Sequence, residues 1–235
     1  MKEKIIGIIG GMGPMATADL FKKIILNTDA NSDQEHAHVI IDSNVMIPDR
    51  TDAILNNGEN PVPELTKTAI NLINAGANIL IMPCNTAHYF FKEIIEKINE
   101  KINKENYVFL NMIEETAKYL KKQNVESACL LATTGTYKSE VYQNIFKNYN
   151  IELSVPSKEN QNMIMESIYN YKKGIKKYHK EEFLKIVEES DNSNNKKFIL
   201  GCTELPLIFE EIGINDNIVD PTEIIAKAAI KAVQL

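Results

Sequence analysis

The chain predicts an α/β fold of two pseudo-symmetric, Rossmann-like lobes, with parallel sheets flanked by helices and the functional site in the cleft between them. Three observations carry that prediction. Short apolar runs of β-forming residues alternate with helical patterns along the chain, the order that builds parallel sheets covered on both faces. The stretch Ile79–His88 is an apolar run that stops at Pro83 and delivers Cys84 to a helix start; Phe198–Leu205 delivers Cys202 in the same context. The turn around Gly13 likewise matches the turn around Gly135, at nearly the spacing that separates the two cysteines, so the sequence reads as an internal duplication.

In order, Ile5–Ile9 reads as a buried strand, because an unbroken apolar run fits a strand covered on both faces. It runs into Gly10-Gly11-Met12-Gly13-Pro14. Pro14 suits a first helical position, and Leu20, Phe21, Ile24 and Ile25 then recur at helical spacing. Val39–Ile41 gives a second strand. Residues Val45 to Pro63, with prolines at 48, 61 and 63, read as a long loop of the kind that carries function. A helix from Pro63 to Ala75 stops at Gly76. The Ile79 strand, a helix through Ile98, a strand at Val108–Leu110 and a helix from Ile113 to Lys122 follow. The pattern restarts at Ala128–Leu131, turns through Thr133-Thr134-Gly135-Thr136, and continues as one helix carrying Val141, Tyr142, Ile145 and Phe146. A short strand near Ile151–Val155, helices at Gln161–Tyr171 and Glu181–Glu189, and an exposed polar loop from Ser190 to Lys197 precede the Cys202 unit. Ile218 and Val219 make a last strand, and Pro221 starts a last helix. That helix is expected to pack back on the first half, dividing the chain into a first lobe of residues 1–115 and 206–235 and a second of 116–205.

At 235 residues, with 44% hydrophobic and 25% charged content, this is an ordinary globular composition. A net charge of −6 without a basic stripe argues against nucleic acid as a partner. Three cysteines in a chain this long are no disulfide framework and point to a reducing, cytoplasmic compartment. Met1 to Ala18 starts basic, turns apolar and ends in Ala-Thr-Ala, like a secretory leader. Gly10, Gly11, Gly13 and Pro14 interrupt the apolar part, which fits a strand and its turn better. No run approaches the length of a membrane span.

Each motif has a bland reading beside the chemical one. A cysteine is commonly a small buried hydrophobe, and Cys129, inside an apolar run, reads so. Cys84 and Cys202 instead sit at carboxyl ends of strands beside helix starts, where backbone N–H groups and the helix dipole favour a thiolate. Arg50 is the only arginine among 26 basic residues. A planar fork where lysine serves everywhere else suggests a grip on a carboxylate; the alternative is a chance surface arginine. Gly11 to Ala16 formally fits the dinucleotide fingerprint, with Asp42 as its acid, but Asp42 comes late and Pro14 is out of place. As a bare helix start, the turn equally suits a carboxylate. Cys84 and His88 have metal-ligand spacing, yet no further cluster completes a site, so no metal is expected. His88 either supports Cys84 or merely packs, and Glu204 either attends Cys202 or complements its helix dipole. Lys172 and Lys173 precede Gly174 at a helix end, where lysine also simply suits the dipole.

Two thiols on opposite walls of a cleft allow chemistry that one does not. One, as thiolate, removes a proton from carbon; the other, as thiol, returns a proton to the opposite face, and the centre inverts without a cofactor. Free cysteine has a pKa of about 8.5, so a modest electrostatic push readies one thiolate while its partner stays protonated. Backbone N–H groups and the side chains of Asn85, Thr86, Thr134 and Thr203 are of the type that stabilises the developing carbanion around a carboxylate.

The motifs "GGMGP" at Gly10–Pro14, "PDRT" at Pro48–Thr51, "PCNTAH" at Pro83–His88 and "LGCTELP" at Leu200–Pro206 resemble the cofactor-independent aspartate/glutamate racemase family over nearly the whole chain. "GGMGP" with "CTEL" is similar to its aspartate-racemase branch. The resemblance implies a two-lobed fold, a homodimer, no cofactor, and catalytic thiols at Cys84 and Cys202. It also implies substrate contacts from Arg50, from Asn85, Thr86 and Ala87, and from a lysine before the second-lobe glycine, which falls on Lys172. The surrounding Asn170–Lys173 departs from the family's usual "EELK", which leaves Lys173 open as the alternative. Met12 and Thr51, in the same motifs, and Asp52, the residue after the second, complete the candidate substrate contacts, and His88 and Glu204 are candidates to support the thiols. The expected activity interconverts L- and D-aspartate, with glutamate as a further substrate. Rival readings are a two-lobed acidic amino-acid sensor without turnover and another superfamily isomerase acting at an acidic carbon.

Overall fold

The computed structural model describes residues 4–103, 106–190 and 196–234. Strand β1 (Ile6–Gly10) is buried along its whole length between β2 (Val39–Ser43) and β3 (Ile79–Ile81), both parallel to it. Strand β4 (Val108–Phe109) completes the order β2-β1-β3-β4. Strands β5 (Ser127–Ala132), β6 (Glu152–Ser154), β7 (Lys197–Gly201) and β8 (Ile218–Val219) form a second parallel sheet in the order β6-β5-β7-β8. The two orders are the same. The strand ahead of the Gly13 turn matches the strand ahead of the Gly135 turn, and the Cys84 strand matches the Cys202 strand.

Unbroken apolar strands follow from helices on both sides. Helices α3 (Val62–Asn74) and α4 (Phe91–Asn99) press Leu65, Ala69, Leu72, Ile94 and Ile98 against Ile9 and Leu80 on one face of the first sheet. Helices α1 (Pro14–Asn27) and α11 (Pro221–Gln234) cover the other face, packing Leu20, Ile24, Ile225 and Ala229 on Ile6, Ile8 and Ile81. The second sheet lies between α8 (Lys158–Lys172), α9 (Lys180–Ser190) and α10 (Leu205–Ile212) on one side, and α5 (Met112–Lys122) and α7 (Val141–Phe146) on the other. Each fully buried Leu, Ile or Phe in these layers contributes about 1.5–3 kcal/mol of transfer free energy.

Three expectations need correction. The segment Val45 to Pro63 is not a plain loop, because Arg50–Leu55 forms a short helix, α2, with Asp49 as N-cap accepting a bond from Asp52 N at 2.8 Å. The single helix expected after the Gly135 turn is two, α6 (Thr134–Ser139) and α7, broken where Glu140 adopts a left-handed conformation with φ of 52°. The chain does not return to the first lobe at residue 206. Leu205, Ile208 and Phe209 of α10 pack in the second lobe's core, and β8 pairs with β7, so only α11 crosses back. The short strand finds its neighbour in the second sheet, beside β7. Of the polar run expected as a loop from Ser190 to Lys197, residues 191–195 lie outside the described residues.

The Gly11 turn shows why that position is glycine: φ is +92°, and a Cβ there would fall 2.3 Å from the carbonyl oxygen of Asn44. The turn therefore packs directly on the end of β2, holding Met12 over the carboxyl end of the first sheet.

Candidate active site

Both cysteine turns open at the carboxyl ends of their sheets, where ligands collect in folds of this kind. Cys84 and Cys202 are each 6% exposed free thiols, and both line one cavity of about 350 Å³ counting its open end. Met12, Arg50, Thr51, Asn85 and Thr86 come to this cavity from the first lobe; Lys172, Thr203 and Glu204 come from the second. Outward, Met12, Arg50, Lys172 and Glu204 are shared with a wider mouth rimmed by Pro14, Met15, Tyr171 and Ile175.

The two sulfurs have opposite neighbours. Cys84 faces the guanidinium of Arg50; burial lowers the arginine pKa, but Cys84, then Asp49 and Glu204, raise it on balance. Cys202 donates its thiol hydrogen to Glu204 Oε2 at 3.0 Å, inside the protein. Burial, then the negative charge of Glu204, push the Cys202 thiol well above its ordinary range, with Lys172 opposing. The helix start expected to favour a thiolate at Cys202 is thus outweighed by burial first and by the Glu204 carboxylate second. Glu204 is 3% exposed, and its other oxygen lies 3.8 Å from Lys172 Nζ. Burial lowers the Lys172 pKa, but Cys202, Glu204 and Cys84 together raise it, so the ammonium stays charged between the two thiols. Lys172 is on the cavity wall, whereas Lys173, the C-cap of α8, is not.

Short elements hold these groups in place. Arg50 opens α2, and its Nη1 donates to the carbonyls of Pro48 (2.8 Å) and Ile47 (3.3 Å), bending the side chain back over the cavity. Thr86, Thr133 and Thr136 hydroxyls form a buried triangle with 3.0 Å sides, joining the Cys84 turn to the start of α6. Gly135 completes that approach, because a Cβ there would sit 2.8 Å from Thr51 Oγ1 and 3.1 Å from Thr86 Cγ2. The Asn85 side chain is tied to the second lobe by Tyr142, whose hydroxyl donates to Asn85 Oδ1 at 2.6 Å.

Four expected site residues are not on the cavity wall. Thr134 is half-buried at the first position of α6; its neighbour Thr133, the N-cap, faces the cavity instead. Asp52 is exposed and accepts a bond from Asn56 Nδ2 at 2.9 Å. Ala87 packs fully buried in the core of the first lobe. His88 stands behind the cavity: Nδ1 donates to the Cys84 carbonyl at 2.8 Å and Nε2 accepts from Met112 N at 3.1 Å. Both ring nitrogens are thereby engaged, which answers the metal-ligand spacing with Cys84. Burial lowers the His88 pKa to about 4, so the ring is neutral and its tautomer fixed. Cys129 is wholly buried core, as its apolar run indicates.

Sequence reasoning missed Asp49, Thr133 and Tyr169 on the wall. Tyr169 had a usable signal: it lies three residues before Lys172 on the same face of α8, with the ammonium 5.7 Å above its ring. The formal dinucleotide turn is closed by its own helix. Gly11 N donates to Thr17 Oγ1 at 3.0 Å, and that hydroxyl donates to the Gly13 carbonyl at 2.9 Å.

Known proteins share this architecture. The aspartate racemase of Picrophilus torridus superposes with a TM-score of 0.83 at 35% identity, covering 98% of this chain and 94% of that one. An aspartate racemase homologue from Pyrococcus horikoshii OT3 superposes at 0.77 and 25% identity over the full length of both. A broad specificity amino-acid racemase of Bacillus subtilis (strain 168) is 25% identical over 230 residues, 96% of each chain. The sequence profile of the Asp/Glu/Hydantoin racemases matches residues 9–229, a span that holds both cysteine turns and every residue of the cavity wall. The chain belongs to the Asp/Glu/Hydantoin racemase family.

Proposed function

We propose that this protein interconverts L- and D-aspartate by proton transfer between Cys84 and Cys202, without a cofactor. The observation that carries the reading is the pairing of opposite electrostatics on one cavity: a sulfur beside a guanidinium and a sulfur whose proton is held by a carboxylate. In this reading Cys84 acts first as the base and Cys202 as the acid. The Cys84 thiolate takes the α-proton from one face of the substrate, leaving an electron pair on carbon that delocalises into the α-carboxylate. Cys202 gives its proton to the opposite face, and the product has the inverted centre. The pair is then left as Cys84 thiol and Cys202 thiolate, with the Lys172 ammonium offsetting the new charge beside Glu204. The reverse reaction starts from that second form.

Substrate grip supports an acidic side chain. Arg50 and Lys172 put two cations on a cavity this small, enough for two carboxylates, while the threonines and Asn85 are neutral partners for the same oxygens. The reading extends to a homodimer and to glutamate as a secondary substrate, in a reducing, cytoplasmic setting that the free thiols support.

The test is incorporation of solvent deuterium at the α-carbon of L-aspartate, with loss of optical rotation. Wild type is expected to show both, and Cys84→Ala or Cys202→Ala to lose turnover by orders of magnitude. Near-normal turnover in either variant removes that thiol from the mechanism. Tight binding of aspartate without exchange would instead favour an amino-acid sensor.

A further inference from the structure

Two donors on the cavity side of the first lobe are buried without a hydrogen-bond partner: Arg50 Nε and Asn85 Nδ2. Buried N–H groups are nearly always paired in native proteins, so two orphans beside one cavity mark where an acceptor from a ligand belongs. What presents the Asn85 donor to that place is a residue of the other lobe. Tyr142, fully buried on α7 with its ring against Phe146, donates its hydroxyl to Asn85 Oδ1 at 2.6 Å. An amide has an oxygen end and a nitrogen end, and its orientation is decided by the surrounding network. With Oδ1 taken by the phenol, the NH2 end is the one left to the cavity. The reverse orientation would leave the phenolic hydrogen without an acceptor among the described residues. It would also turn a carbonyl oxygen toward the place where a carboxylate is to sit. The phenol is a donor throughout the working range, since burial, then the charges of Asp220 and Cys202, hold its pKa well above the ordinary value.

We propose that Tyr142 is a positioning residue, which sets the Asn85 amide so that its NH2 group receives a carboxylate of the substrate. It acts through Asn85 and touches no reacting atom. The break at Glu140 makes this possible: α7 starts afresh after a left-handed residue and so aims Tyr142 back at the Cys84 turn. Because Asn85 and Tyr142 belong to different lobes, the amide is oriented only when the lobes are together. The inference rests on the reading of this cavity as an amino-acid site.

The experiment is a double-mutant cycle on the full chain with Tyr142→Phe and Asn85→Ala. Each protein is measured for L-aspartate binding by calorimetry and for α-proton exchange in deuterated buffer. Tyr142→Phe is expected to weaken binding and raise KM about tenfold, the worth of one charge-assisted hydrogen bond, with a smaller change in kcat. In the Asn85→Ala background the same substitution is expected to add nothing, which a merely structural role would not produce. Should Tyr142→Phe fail to fold, Asn85→Asp reads the same orientation. Tyr142 still has an oxygen to bond, but a second oxygen now faces the cavity and aspartate binding is lost. An unchanged KM in Tyr142→Phe, an effect that persists undiminished beside Asn85→Ala, or unchanged binding by Asn85→Asp overturns the proposal. Wild type that binds aspartate without exchange defeats the racemase reading and leaves the cycle to be judged on binding alone. Wild type that binds no aspartate defeats both.

Discussion

Cys84 and Cys202 arrive in the same local context, yet their neighbours differ: a guanidinium beside the first, a carboxylate beside the second. Glu204 is the residue that separates them. Replacing its carboxylate with an amide keeps the shape and removes the negative charge that, after burial, holds the Cys202 thiol up. Glu204→Gln is therefore expected to lower the Cys202 pKa and move the alkaline limb of the pH–rate profile to lower pH. Rates for both enantiomers across pH 6–10 check it, and an unmoved limb would take Glu204 out of the thiol's environment. His88 offers a second titration with the sign worked out. Its folded pKa, about 4, lies below the ordinary value of 6.5, so the unfolded chain takes up the proton first as pH falls. The stabilisation from keeping this ring neutral is complete above pH 6.5 and is lost on the way down to about pH 4. The shift corresponds to on the order of 3 kcal/mol. Urea unfolding of wild type and His88→Gln between pH 4 and 7 isolates this loss: the variant's stability is expected to fall less steeply, and parallel curves would contradict it. The cysteines and Arg50 stood out in the sequence because each is a rare residue type at a motif boundary; Lys172 came only through the family resemblance, with Lys173 left open. Thr133 against Thr134 was not legible, because adjacent residues at a helix start differ by which one caps, and capping is a matter of backbone geometry.

At the scale of elements, periodicity locates what has a long apolar face and misses what does not. Helix α2 spans only Arg50–Leu55 and has no buried residue, so the run reads as loop although the Asp49 cap is written in the sequence. The break at Glu140 was hidden for the opposite reason: Val141, Tyr142, Ile145 and Phe146 continue a good helical pattern, and one left-handed residue does not disturb it. Yet these two misread elements bring Arg50 and Tyr142 to the cavity side of their lobes. Their mutual approach turns on Gly135, where helix α6 meets Thr51 and Thr86. Two effects oppose each other in Gly135→Ala. Alanine in a helix is favoured over glycine by about 0.8–1 kcal/mol, while a Cβ at 2.8–3.1 Å from Thr51 and Thr86 overpacks the contact at about 1–3 kcal/mol. Overpacking wins, because one of its close contacts is the Thr51 backbone, which yields only if α2 moves. The expected result is a modest loss of melting temperature with a rise in KM for aspartate, as Arg50 moves with α2. A variant that is stabilised with unchanged KM would show that α2 gives way at no cost.

The whole molecule is two copies of one topology whose chain ends are exchanged across the middle. The duplicated cysteine and glycine turns made the repeat legible, but the point of return was not, because a two-residue strand and the helix after it carry no mark of which sheet they serve. The exchange leaves a charged joint. Lys23 on α1 lies 2.5 Å from Asp19 and 2.7 Å from Asp220, the residue that leads from the second sheet into α11. Its side chain is 16% exposed, and burial would lower its pKa, but Asp220 and Asp19 raise it, so the ammonium holds two carboxylates of different lobes. Removing the cation strands both. Lys23→Met keeps the length of the side chain and is expected to cost about 3 kcal/mol, the lower end for breaking a buried ion pair because the joint is partly wet. A second substitution distinguishes this from lost packing. Without Lys23 the two carboxylates are uncompensated, so Asp220→Asn added to Lys23→Met should recover part of the loss at neutral pH. A packing defect would gain nothing from it. Urea unfolding of the single and double variants tests the assignment. If the double variant is no more stable than Lys23→Met, the joint holds the lobes through contact, and its charge is incidental.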